Sequence, residues 1–159
     1  MEIIDSHTHW GPSVSMGTEV TTEELLRQAE QSNVSRIVIF PFPSMALSDE
    51  GINKRLLEEA RRIKKFIPYY YIPETMKPIP DGKGFYGGKW HWMQGIQDCS
   101  SNYQALEDPK LEEFIKASER IDLPIVFEEE LAFTEAFVRK TKNFKIIIAT
   151  GSHRAPTEE

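Results

Sequence analysis

Two histidines one residue apart, His7 and His9, stand in the segment IIDSHTHWG, directly after a short apolar run. In an extended strand the side chains at i and i+2 leave the same face, so Asp5, His7 and His9 are expected to project together, with Ser6 and Thr8 opposite. Two imidazoles at a strand's end can share one cation, since neutral imidazole nitrogen is a common metal ligand. The plainer alternative is a pair of polar residues closing a strand. Position favours the metal, because parallel α/β folds collect their sites at the carboxyl ends of strands.

Two further segments carry groups able to do chemistry. In GFYGGKWHW, residues 84–92, alternation puts Lys89 and His91 on one face and Trp90 and Trp92 on the other. The histidine then faces inward if the tryptophans pack under helices; the alternative is a hairpin with a surface histidine. Gly84, Gly87 and Gly88 either bend this strand or let backbone come close to it. In LPIVFEEE an apolar strand ends in Glu128, Glu129 and Glu130. Three adjacent carboxylates usually form a solvated start to the next helix, whose dipole favours them. One of them at the strand's very end would complete a nitrogen and oxygen ligand set suited to zinc, manganese or iron.

The elements that must hold these residues alternate along the chain. TTEELLRQAEQSN reads as a helix, with Thr21 and Glu24 as a capping box and Leu25, Leu26 and Ala29 as its apolar stripe. VSRIVIFPF has the near-continuous apolar character of a strand buried on both faces. A helix over INKRLLEEARRIKK and a strand over FIPYYYI follow. After a long polar loop, Asp108 and Pro109 supply an N-cap and first-turn proline for a helix carrying Leu111, Phe114, Ile115 and Ile121. LPIVF, then a helix over LAFTEAFVRKTK, then FKIIIAT complete the series. The expectation is an α/β fold, an incomplete (β/α) TIM-type barrel of about six parallel strands covered by helices and lacking the last strands. A complete barrel usually takes about 250 residues, and this chain has 159. One domain is expected over residues 1–149, with 150–159 as a polar tail. The abrupt change after IIIA reads as a shortened or frame-shifted product as readily as a designed ending.

Charge and composition narrow the function classes. Nineteen Lys and Arg against twenty-five Asp and Glu give a formal charge of −6, which opposes attraction to nucleic acid or to anionic membranes. The single Cys99 excludes an internal disulfide and any multi-cysteine metal site. Neither a secretory leader nor an apolar run of roughly 20 residues is present, so a cytoplasmic protein is expected.

The motifs, taken in order, resemble the amidohydrolase superfamily. IIDSHTHWG, EELLRQAEQSNVSRIVIFPFPS, GFYGGKWHW, LPIVF and FKIIIAT are similar over about residues 2–149 to its amidohydrolase-related branch, often called amidohydrolase 2. That branch includes aminocarboxymuconate-semialdehyde decarboxylase and many metal-dependent hydrolases. The resemblance implies a distorted (β/α)8 barrel with a metal centre at the strand ends, His7 and His9 matching the first-strand ligand pair. It places Glu128 where the fifth strand usually ends in a histidine ligand, and Thr150 where the sixth does. His153, three residues beyond Thr150, is the candidate replacement for the missing imidazole. The aspartate that follows an eighth strand in this family has no counterpart here.

The function expected is therefore that of a metal-dependent hydrolase or lyase acting on a small molecule, with a divalent cation, zinc first, and manganese or iron as alternatives. His7, His9, Glu128 and His153 are the candidate ligands. Lys89, His91 and Trp10 are the candidate substrate contacts, and Glu128 or Asp5 the proton acceptor. Trp10, Trp90, Trp92, Tyr86 and Met93 form an aromatic set around the proposed mouth. Two other readings stand beside this one. The first is a non-catalytic incomplete barrel that pairs its open edges with another copy, and self-association is expected on either reading. The second is a phosphoesterase of the polymerase and histidinol phosphatase type, which shares the opening Asp-x-His-x-His but normally carries Thr-Asp-His where this chain has PFPS.

Overall fold

The computed structural model describes residues 2–48, 51–91 and 101–149. The candidates His153, Thr150, Trp92, Met93 and Cys99, and the tail, lie outside the described residues. Seven strands form one sheet: β1 (Ile4–Ser13), β2 (Thr18–Val20), β3 (Arg36–Pro41), β4 (Phe66–Tyr71), β5 (Gly87–His91), β6 (Ile125–Glu128) and β7 (Ile146–Ile148). Their spatial order is β2-β1-β3-β4-β5-β6-β7. Six are parallel, as expected, and the seventh is a short antiparallel hairpin strand, β2, on the end of β1. The six parallel strands follow one another in chain order, so their carboxyl ends open on the same rim.

The helices are α1 (Thr22–Gln31), α2 (Pro43–Ser48), α3 (Ile52–Arg62), α4 (Pro109–Ile121) and α5 (Leu131–Lys140). Their starts follow the sequence: Glu24 N–H donates to the Thr21 hydroxyl at 3.2 Å, and Lys110 N–H donates to the Asp108 carboxylate at 2.9 Å. α2 and a short 3-10 turn at Tyr103–Glu107 are not foreseen from sequence, because a single turn has too little apolar periodicity to declare itself.

Alternation along the strands sorts the core into two faces. Ile37, Ile39 and Phe66 pack outward against Leu25 and Ala29 of α1 and Leu56 of α3. Trp90, Ile125 and Phe127 pack outward with Phe114 of α4 and Phe133 and Phe137 of α5. Removing each such aromatic from water contributes about 1.5–3 kcal/mol. Val38, Phe40, Ile67, Tyr69 and Val126 form a separate cluster on the inner face. The paired glycines of β5 are explained by close approach. A Cβ on Gly87 would meet the Tyr69 ring at 2.5 Å and the Pro124 carbonyl oxygen at 2.6 Å. β5 can therefore lie between β4 and β6 only where that side chain is absent.

The sheet is strongly curled. Strands sit about 4.8 Å apart, so a flat sheet would separate β1 from β6, four steps away, by roughly 19 Å. Yet the His7 imidazole of β1 reaches the Glu128 carboxylate of β6 at 3.8 Å. Barrel-type curvature is what brings the two ends of the sequence to one site.

Candidate metal centre

β1 carries a bulge that decides which of its polar residues face inward. Asp5 pairs with Ile37 and Thr8 with Ile39, so three steps on β1 match two on β3. Asp5 and Thr8 thus share the outer, helix-covered face of Ile37 and Ile39, while His9, opposite Phe40, faces in. The common face expected for Asp5, His7 and His9 is corrected by this irregularity. The Asp5 carboxylate instead accepts the His7 backbone N–H at 3.1 Å, a two-residue closure that holds the bulge.

His7 and His9 converge. Phe40 lies beneath both, edge to face, with ring centroids 5.0 Å and 4.8 Å away, and Phe42 stacks on His9 at 4.8 Å. The His9 Nδ1–H donates to the Pro41 carbonyl oxygen at 3.2 Å. A carbonyl can only accept, so the proton is fixed on Nδ1 and the Nε2 lone pair is left for another partner. Burial, reinforced by the Lys89 ammonium, pulls the His9 pKa from 6.5 down to about 4. Burial likewise takes His91 down to about 3 and, with Lys89, lowers His7. Near neutral pH all three imidazoles are uncharged, the state in which they bind metals.

The opposite wall is β5 and β6. His91 is register partner to Glu128, and its Nε2 lies 3.8 Å from Glu128 Oε2. Lys89, wholly buried, donates to the same oxygen. Burial alone would raise the Glu128 carboxyl, but the Lys89 charge and hydrogen bond hold it below the ordinary carboxylate range. Burial lowers the Lys89 pKa, and Glu128 opposes that shift. One donor atom each from His7, His9 and Glu128 all lie within 4.8 Å of one another. Two imidazoles and a carboxylate are a ligand set of the kind zinc takes in catalytic sites, so the donor chemistry fits a divalent ion.

The remaining acidic residues and aromatics lie elsewhere. Glu129 is buried behind the site, where its carboxylate accepts the Trp90 indole N–H at 2.8 Å and the Ser101 hydroxyl at 2.6 Å. Glu130 accepts the Tyr103 hydroxyl at 2.9 Å. The acidic triplet therefore splits, one carboxylate facing inward and two tying the loop before α4 to the end of β6. Trp90 packs under the helices, so Lys89 and His91 do face in, as the alternation implied. Trp10 is also on the outer side, where its indole N–H donates to the Thr22 hydroxyl at 3.1 Å and Thr22 donates to Glu59 at 2.7 Å. Tyr86 precedes β5 at the other end of the barrel and is exposed. Neither Trp10 nor Tyr86 reaches the cluster. The aromatics that do line it, Phe40 and Phe42, read from sequence only as strand and turn residues. Their signal is the period-2 step from Val38 to Phe40 on a strand buried on both sides.

No family model matches the chain, and no curated protein matches it. Solved structures do. A probable 2-pyrone-4,6-dicarboxylic acid hydrolase from Acinetobacter baumannii, with citric acid bound, superposes with a TM-score of 0.68 at 14% identity, covering 93% of this chain and 58% of its own. The 2,6-dihydroxybenzoate decarboxylase from Rhizobium gives 0.57 at 12% identity, covering 80% of this chain and 50% of its own. A 2,6-dihydroxybenzoate decarboxylase complexed with 2,6-dihydroxybenzoate gives 0.57 at 11%, covering 82% and 51%. At these identities the likeness is one of fold. The chain spans a little over half the length of these neighbours.

Proposed function

We propose that the chain is a metal-dependent hydrolase or lyase of amidohydrolase type, acting on a small carboxylated molecule at the inner rim of the sheet. The observation that carries this reading is the convergence of His7 and His9, on the stretch of β1 paired with β3, with Glu128 at the carboxyl end of β6. The neighbours support it, since a hydrolase and a decarboxylase named for carboxylic acids share the fold. His7 and His9 would hold the cation through uncharged nitrogen, with Glu128 as the anionic ligand; zinc suits this donor set best. The chemistry a divalent ion supplies in such a place is Lewis acidity, polarising a carbonyl and making water a stronger acid at neutral pH. Glu128, which Lys89 holds ionised in the metal-free protein, is the proton acceptor. Lys89 and His91 face the same space and orient the substrate's carboxylate or carbonyl. No helix among the described residues is long and apolar enough to cross a membrane.

The test is metal content. Protein purified without chelator and exposed to equimolar zinc is expected to retain close to one equivalent after gel filtration, measured by plasma emission spectroscopy. His9→Ala is expected to retain less than a tenth of that. Equal, negligible content in both proteins defeats the metal claim.

A second reading, self-association through open sheet edges, has its own observation. Ile3, Ile4, Ile147 and Ile148 are exposed large apolar residues, at the amino end of β1 and on β7. Exposed apolar edge strands template pairing with another chain. Sedimentation velocity at tens of micromolar is expected to show a dimer or larger species that Ile148→Lys shifts toward monomer. A wild-type monomer across that range removes this reading.

A further inference from the structure

Lys89 is the most deeply buried charged group in the cluster, with a side-chain exposure of 0%. An ammonium has three protons and no lone pair, so burial is tolerated only if each proton finds an acceptor. Each does. Glu128 Oε2 accepts one, and His7 Nε2, 3.4 Å away, accepts the second. Nζ also lies over the face of Phe40, 4.7 Å from its centroid, where the ring supplies a π face for the remaining proton. This is the coordination of a cation in miniature, an oxygen, an imidazole nitrogen and a π face around one positive centre.

Two of those acceptors are also ligands in the metal reading. His7 Nε2 and Glu128 Oε2 are 3.8 Å apart; the imidazole nitrogen has committed its single lone pair to Lys89, and the carboxylate has given it the nearer oxygen. His9 has not, because its Nδ1–H is spent on Pro41. An ammonium and a divalent ion at this spacing also repel each other, in a buried place where charge is poorly screened. The two cations are therefore alternatives.

We propose that Lys89 is the chain's internal cation, a competitor that occupies Glu128 and His7 and that a divalent ion must displace, so that Lys89 sets the site's metal affinity. The proposal rests on the metal reading above and deepens it. It makes removal of a conspicuous site residue a gain of binding. A residue that merely supported the fold would give a loss.

The experiment is calorimetric titration of Zn²⁺, and separately Mn²⁺, into the full chain after chelator treatment, at one fixed pH near 7. Wild type, Lys89→Met and Lys89→Arg are compared, with Lys89→Gln as the second neutral variant should methionine give insoluble protein. The neutral variants are expected to bind zinc at least about tenfold more tightly than wild type, the equivalent of removing one like charge from the site. Lys89→Arg keeps the charge and is expected not to tighten binding. Tighter binding in a neutral variant, with Lys89→Arg no tighter than wild type, supports the proposal. Equal or weaker binding in the neutral variant overturns the competition and leaves the metal site standing. Absence of binding in every protein overturns both.

Discussion

Glu128→Ala is expected to destabilise the metal-free protein by about 3 kcal/mol, the cost of leaving a buried cation without its anion. The figure is at the low end for a broken buried pair because Glu128 keeps 18% of its side chain exposed, so water can partly replace it. Lys89 has no such recourse: its surroundings are Phe40 and uncharged imidazoles. The companion measurement is the double variant Lys89→Met, Glu128→Leu, which removes both charges together. It is expected to recover most of the loss, because an apolar pair of similar volume has no desolvation cost to offset. Urea unfolding of wild type, the single variants Lys89→Met and Glu128→Leu, and the double variant closes the cycle, with a coupling above about 1 kcal/mol expected. A single Glu128→Ala variant as stable as wild type would show that the ion pair contributes nothing to the fold.

Acid is expected to unfold the protein earlier than its carboxylates alone would dictate. The folded state holds His9 at about 4 and His91 at about 3, against 6.5 for the free side chain, with burial as the main cause of both. Below pH 6.5 the unfolded chain takes up protons on these histidines that the folded chain refuses, so unfolding is favoured as pH falls. Their contribution is fully present above 6.5 and is lost progressively between 6.5 and about 3 to 4. Glu128, held low by Lys89 once the opposing effect of burial is overcome, adds to the loss below about 4.5. Refusing a proton across one pH unit corresponds to about 1.4 kcal/mol, so the two histidines together contribute a few kcal/mol. Urea midpoints at pH 7, 6, 5 and 4 should fall steadily, and His91→Gln should flatten the slope between 6 and 4. Midpoints that stay level from 6.5 to 4.5 would show that the imidazoles are not sequestered from protons in the folded state.

Much of this architecture is legible in local pattern. Thr21 with Glu24, and Asp108 with Pro109, announce helix starts because capping is decided within three residues. The six parallel strands are visible as short apolar runs. What local pattern cannot show is how one strand lies against another. The bulge that turns Asp5 away from His7 and His9 is a mismatch of register between β1 and β3, and nothing in IIDSHTHWG encodes it alone. The same limit applies to Trp10, which packs under α1, and to β2, three residues long and paired only with the end of β1. Resemblance singles out Glu128 from three adjacent carboxylates; in the structure Glu128 pairs with buried Lys89, while Glu129 and Glu130 serve as ties. Lys89 reads from sequence as a substrate contact; its bond to Glu128 is a diagonal pairing between neighbouring β5 and β6, and it is the approach of His7 to both that depends on curvature, a property of the whole sheet.

The unbroken winding of that sheet also fixes an order of events. Each parallel strand lies beside the one the ribosome delivered before it, so a growing chain always presents a ready edge to the next arrival and never waits for a distant partner. The histidines are made first, their anionic companion more than a hundred residues afterwards. On the metal reading proposed above, a divalent ion would find two of its three ligands until β6 docks, so it would join a finished scaffold and would not seed the folding.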